Sequence, residues 1–310
     1  MIATGPSPAV SCVIPVRNGA RTIGETIGSV QMQGFKDWEL IVVDNGSTDD
    51  TRAIVTALAQ QDPRIRLETE PTPGIVPALT RGIDVAHADL IARLDADDMM
   101  QPDRLALQLA TFAAEPQLVL VASRYELWDE ASGERRIEGE ALAGQALEQR
   151  LKETNVIAHP SVMMRRSAYL DAGGYRAQFV PAEDLDLWLR LARIGPMKVL
   201  AEPLLVYRLH PGQVTAQKSP ANRLAMAAVY GADRGAALDA PPTEQALHFV
   251  RSVDGTAPRD HIKIAARALS ALGNDELNAS QERNRIAKAL LTRFRARDVR
   301  TFLSLSSGGS

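Results

Sequence analysis

Along the chain, short apolar runs alternate with stretches in which apolar residues recur every three or four positions. Residues 10–16 ("VSCVIPV") and 38–44 ("WELIVVD") are β-branched runs of strand length, suited to burial on both faces. Residues 20–33 between them carry helical spacing. The alternation continues through a helix opened by the capping residues of "STDDTRAIVTALAQQ" (47–61), a strand at 64–68, a helix at 75–86 and a strand at 89–95. A helix at 102–114 and a strand at 118–123 follow. Four strand–helix alternations predict an open, mostly parallel sheet with helices on its faces, which binds ligands beyond the carboxyl ends of its strands.

After residue 123 the pattern decays into polar, glycine-containing sequence to about residue 145. A strand at 161–166, a helix at 183–193 and a long extended stretch at 197–209 give the next portion α+β character, and residues 221–303 read as helical. This divides the chain into 1–123, a ligand-binding subdomain, 124–215, a second subdomain, and 216–310, a helical C-terminal region.

Composition narrows the function. With 45% hydrophobic and 24% charged residues in 310, the chain is of ordinary globular composition, and a net charge of -3 argues against nucleic acid as a partner. Cys12 is the one cysteine, which excludes a disulfide framework or a cysteine zinc site within one chain. The first ten residues lack a signal-peptide pattern and no run of 18 apolar residues occurs, so the expected location is cytoplasmic. Residues 15–20 read "PVRNGA" in place of the G-x-G-x-x-G that a nicotinamide dehydrogenase requires after its first strand.

Two strand ends carry the candidate chemistry. Asp44 closes one, where it serves either a ligand or an Asx-turn with Asn45, Gly46 and Ser47. "LIARLDADDMM" (90–100) ends the other with Asp95, Asp97 and Asp98, three acids that repel one another unless a cation or hydrogen-bond donors share the site. Magnesium takes one or two carboxylates and leaves positions for substrate phosphates, and residues i and i+2 of an extended segment point to one side. The competing role is helix capping ahead of Pro102 and Asp103, which accounts for one acid, Asp98, and not for three.

Farther on, "PAEDLDLWLRLARIG" (181–195) reads as a mostly buried helix ended by Gly195. Helical stepping places Asp184 on the face of Leu187, Trp188 and Leu191, with Glu183 and Asp186 outside.

The stretch "CVIPVRNGARTIGETIGSVQMQGFKDWELIVVDNGSTDDT" (12–51), taken with "LIARLDADD", closely resembles the family 2 glycosyltransferases of GT-A fold, over roughly residues 10–215. The motifs are Ile14, Pro15 and Asn18 at the first strand end and Val43 to Asp49 at the second. Asn45, where many relatives have a second Asp, and Thr80, where Asn is common, depart from the pattern. The resemblance implies an α/β GT-A fold with a mixed, mostly parallel sheet and a C-terminal helical extension. It also implies donor contacts at Pro15, Asn18, Asp44 (base), Arg81, Asp95 (ribose) and Asp98, and a divalent Mg2+ or Mn2+ on Asp97 and His210. Glu183 and Asp184 become the catalytic pair, with Asp184 the base of an inverting displacement.

The implied partners are a nucleotide-sugar donor and a saccharide or lipid-linked acceptor, in surface polysaccharide or lipopolysaccharide assembly. The competing function is a non-catalytic module, derived from a transferase, that binds a nucleotide sugar or glycan. "HPSVMMRRSAYLDAGGY" (159–175) resembles an acceptor-side segment, and His159 within it reads equally as a hydrogen-bonded structural residue. Residues 281–300 form a basic amphipathic pattern, which either makes peripheral contact with an anionic membrane or packs on the protein.

Overall fold

The computed structural model describes residues 7–210 and Val229. The predicted helices at 221–303, the basic pattern at 281–300 and the terminal tail lie outside the described residues, apart from Val229, which is helical and buried. In chain order the elements are β1 (Val10–Val16), α1 (Ile23–Gln31), β2 (Trp38–Asp44), α2 (Thr51–Gln61), β3 (Ile65–Thr69), α3 (Ile75–Asp84), β4 (Leu90–Arg93) and β5 (Met99–Met100). They continue with α4 (Arg104–Ala114), β6 (Leu120–Asp129), β7 (Arg135–Glu138), α5 (Gly144–Leu151), β8 (Met163–Arg165), α6 (Arg166–Asp171), α7 (Glu183–Leu191) and β9 (Met197–Leu209). The described residues fall into two units, 7–175 with 187–210, and 176–186 with Val229.

In the first unit one mixed sheet runs β3-β2-β1-β4-β8-β6-β9-β5, with β7 on β6. From β3 to β4 the strands are parallel, and β1 and β2 are buried along their whole length because their apolar runs are covered on both faces. The parallel set puts Val16 level with Asp44 and Val13 level with Arg93, so the chain leaves β1, β2 and β4 at one edge. Helix α3 lies close over β1: a Cβ on Gly82 would meet Val13 Cγ1 at 2.4 Å, so this position has room only for glycine. The core gathers Ile14, Val42, Leu94, Leu105, Val121 and Leu205 from six elements or their edges.

Two sequence expectations change here. The strand expected to stop at 123 continues to Asp129, and the polar stretch beyond it forms β7 and α5. β6 from Arg124 onward is half exposed and β7 lies largely in solvent; they hold together by ladder bonds to each other and to β9, which apolar periodicity does not register. Among the described residues no helix is long and apolar enough to cross a membrane.

Candidate active site

The ends of β1 and β2 are laced together by short polar side chains. Asn18 adopts a left-handed φ of 55° after β1, a conformation asparagine tolerates better than most residues, and its Oδ1 accepts the Thr48 N–H at 2.8 Å. Ser47 Oγ accepts Asn18 N–H at 2.9 Å, Thr51 Oγ1 accepts Gly19 N–H at 2.9 Å and Asp49 accepts Ala20 N–H at 3.0 Å. The "NGSTDDT" segment thus clamps the turn after β1. Pro15 is buried within β1, where it pairs with Val43.

Asp44 is 1% exposed and accepts the Ser47 N–H at 3.2 Å, so it does close its strand, and it also takes Arg52 Nη1 at 2.8 Å. Burial pushes its carboxyl up, but the bonds from Ser47 and Arg52 outweigh that and hold it below the usual range. Arg81, on the last turn of α3, places its guanidinium 2.7 Å from Glu68.

Asp95, Asp97 and Asp98 each offer an oxygen within 4.8 Å of the other two, an arrangement able to hold a metal ion. Helix α1 shapes their turn: Thr22 and Thr26, one helical turn apart, both donate to Ala96 O at 2.9 Å. Ser29 Oγ, farther along α1, accepts Met100 N–H at 3.0 Å.

Each acid is held differently. Asp95 receives two parallel bonds from the buried Arg93, at 2.6 and 2.5 Å. Burial raises its carboxyl and Arg93 pulls against that, with Asp97 adding to the rise. Asp97 Oδ2 lies 3.0 Å from His210 Nε2, which follows β9. Asp98 is fully buried; its Oδ1 accepts Arg208 N–H at 2.9 Å and its Oδ2 has no hydrogen-bond partner among the described residues. Burial, then the charges of Asp95 and Asp97, push the Asp98 carboxyl well above the ordinary range. A buried carboxylate oxygen without a donor, among acids that raise one another, is the donor set a hard divalent cation fits. The capping role foreseen for Asp98 is not what it performs: Asp103 stands at the α4 N-cap position, without a side-chain cap bond.

Behind the acids lie two charged residues that apolar patterning does not single out. Arg208 is 3% exposed, pairs with Glu25 and with Glu130 at 3.2 Å, and stacks 4.8 Å from the Trp128 ring. Arg104 is fully buried and donates to Pro160 O at 2.7 Å, Arg93 O at 2.8 Å, Val162 O at 3.0 Å and Gln108 Oε1 at 3.1 Å. It ties the backbone of β4 to the turn that carries His159. His159 is structural: its Nε2 lies 2.7 Å from Tyr175 Oη, its ring meets Trp188 edge-on, and burial holds its pKa well below 6.5. Gly173, next to Gly174, has a φ of 80°, which only glycine adopts readily, ahead of Tyr175.

In the second unit, Glu183 and Asp184 open α7, and Asp184 Oδ1 accepts Leu185 N–H at 2.7 Å. The exposure expected from helical stepping is reversed. Glu183 and Asp186 are buried, at 6% and 2%, while Asp184 is the more accessible. The reason is a pairing that a helical wheel does not contain: Asp186 binds Arg176 through both carboxylate oxygens, which takes it out of water.

Strand ends bearing Asp44 and a three-acid cluster, on a mixed sheet with helices on its faces, define a glycosyltransferase of GT-A fold. The chain belongs to glycosyl transferase family 2, whose sequence profile matches residues 11–174. The putative glycosyltransferase EpsE of Bacillus subtilis (strain 168) is 32% identical over 198 residues, 61% of this chain and 68% of that one. The chondroitin synthase of Pasteurella multocida (strain Pm70) is 28% identical over 207 residues, 62% of this chain and only 20% of the synthase.

In fold, the chain is similar to S. aureus TarS 1–349 in complex with UDP-GlcNAc, with a TM-score of 0.66 at 17% identity, covering 96% of this chain and 90% of that one. It is also similar to the mannosyltransferase PcManGT from Pyrobaculum calidifontis in complex with GDP-Man and Mn2+, with a TM-score of 0.55 at 21% identity, covering 97% and 84%.

Proposed function

We propose that the protein transfers a sugar, with inversion, from a nucleoside-diphosphate donor to a hydroxyl of a saccharide or lipid-linked acceptor, in assembly of a surface polysaccharide, and that transfer depends on a divalent cation. The observation that carries this reading is the acid cluster, in which buried Asp98 keeps one oxygen without a donor. Asp97, His210 and Asp98 are the residues that would hold Mg2+ or Mn2+. A cation bound there supplies positive charge for the diphosphate as it departs. Solved relatives of the fold carry UDP-GlcNAc or GDP-Man with Mn2+, which supports the donor class.

The chain's own residues do the rest. Asp44, anionic and fixed by Ser47 and Arg52, accepts hydrogen bonds from the base. Asp95, whose charge Arg93 already matches, meets the ribose hydroxyls. Asn18, just past the end of β1, and Arg81, which reaches Glu68 near the end of β3, contribute to donor binding, and Pro15 shapes β1. In the displacement the acceptor hydroxyl passes its proton to Asp184, its oxygen bonds to the anomeric carbon, and the bond to the diphosphate breaks with its electron pair leaving on the phosphate. Asp184 is more accessible than its neighbour Glu183, which favours it as the base. An ionised aspartate at a helix start is a weak base, so proton transfer comes late and leaving-group stabilisation dominates.

The test is a thermal-shift panel of UDP-, GDP- and TDP-sugars with Mn2+ or with chelator, followed by turnover of the best donor. A shift that chelator and Asp97→Ala both remove is expected, together with loss of transfer in Asp184→Asn. Donor binding indifferent to chelator sinks the metal role, and wild-type turnover in folded Asp184→Asn sinks the base assignment.

A further inference from the structure

We infer that Asn45 is a positioning residue for the donor's nucleoside, because it fixes the exposed turn Glu70–Gly74 as a wall of the nucleoside pocket; this rests on the donor reading above. Asn45 is 7% exposed, and both of its side-chain functions are spent on that one turn. Its Nδ2 donates to Glu70 O at 2.9 Å and to Thr72 O at 2.7 Å, and its Oδ1 accepts Gly74 N–H at 2.7 Å.

The turn has little freedom left. Its sequence is Glu-Pro-Thr-Pro-Gly, so only three residues carry an N–H, and all three are engaged. Gly74 binds Asn45, Thr72 binds Glu70 Oε1 at 2.8 Å, and Glu70 binds Asp44 O at 3.0 Å. Yet Pro71, Thr72, Pro73 and Gly74 are exposed. A solvent-facing turn this fully anchored on a buried amide is preorganised, and preorganised walls are what a pocket needs.

Position says what the wall faces. Asn45 follows Asp44 directly, and Arg52 bridges Asp44 to Thr69, the residue before the turn, at 2.8 and 3.0 Å. The turn follows β3, three strands from β4 and its acid cluster, a separation of roughly 14 Å at the usual strand spacing. That matches the reach of a nucleoside diphosphate from base to phosphates, with the base at the β3 end.

The amide is required because a carboxylate has no N–H to give. Asn45→Asp is nearly isosteric, yet it sets a charged acceptor against the carbonyls of Glu70 and Thr72. Isothermal titration of the full chain with UDP, GDP and TDP in Mn2+ reads the consequence. The nucleotide that wild type binds best should bind Asn45→Asp about tenfold more weakly or worse, with donor KM raised by a similar factor and kcat at saturating donor nearly kept. A merely structural Asn45 would lower the melting temperature and leave KM alone, and wild-type affinity in the folded variant overturns the inference. Should Asn45→Asp not fold, Pro71→Gly/Pro73→Gly keeps the amide and loosens the turn. The same loss of affinity is then expected, and none overturns the proposal. If wild type binds none of the three nucleotides, the donor reading fails and takes this inference with it; binding by wild type with equal binding by the variant defeats the inference alone.

Discussion

Three aspartates in four positions look alike in the sequence and are not alike in the protein. Asp95 is matched by a guanidinium, Asp97 by an imidazole, and Asp98 by one backbone N–H with an oxygen left over. The sequence locates the cluster, and charge repulsion calls for a cation or hydrogen-bond donors among the acids, but it does not contain this division. One signal for part of it was there: Arg93 stands two residues before Asp95, so both share a side of the extended chain, and it is the only charge between Leu90 and Leu94. Local pattern carries no comparable signal for the bonds from Arg208 N–H to Asp98 and from His210 to Asp97, which span more than a hundred residues; His210 enters only through the family resemblance.

His159 belongs to this scale as well. Buried against Tyr175 and Trp188, it is held neutral. The unfolded chain takes up a proton on this side chain below about pH 6.5 and the folded chain does not, so its contribution to stability is whole above that pH and declines as the pH falls. NMR should show the His159 ring without titration from about pH 8 to about pH 5. A midpoint near 6.5 would contradict the burial argument.

At the scale of elements, helix α1 is more than a cover for the sheet. Thr22 and Thr26 face the turn between Asp95 and Asp97 at helical spacing, and Ala96 O accepts both hydroxyls. Thr22→Val/Thr26→Val keeps shape and removes both donors, at a cost of about 1–3 kcal/mol in stability. The acid turn loosens, so donor KM should rise severalfold while circular dichroism stays native; an unchanged KM would show that the turn is held by its other contacts.

Periodicity read the elements unevenly, and for a physical reason. β1, β2 and the helices that cover them are mainly apolar on their inward positions, and their predicted positions agree with the structure to within a few residues. β7 has only Ile137 as an apolar residue, and that side chain is exposed, so its pairing to β6 is written in backbone hydrogen bonds. The periodicity of α7 predicts the helix but not its faces, since Arg176 draws Asp186 inward from ten residues upstream.

Across the whole sheet, the parallel half is legible because single crossover helices join β1 to β2 and β2 to β3, the pairs that lie side by side; β4 departs from this, since α3 carries the chain from β3 past two strands to pair with β1. The other half is not: β8 lies between β4 and β6, and β9 runs parallel to β6, pairings between segments tens of residues apart that no local pattern encodes. The proposed site residues divide the same way. Asp44 and Asp95 follow from strand ends, while the contacts of Asp97 and Asp98 depend on where β9 finishes.

That dependence has a consequence in counting. Between the Ser123–Leu200 and Tyr125–Leu205 pairs, β9 advances five residues while β6 advances two. The odd surplus exchanges the two sides of the ribbon before it delivers Arg208 and His210. Removing Ala201 should therefore spare the strand and misdirect its tip, leaving a folded protein blind to Mn2+ in calorimetry, whereas excising Ala201 and Glu202 together should restore the handedness of the final stretch and some of the lost affinity.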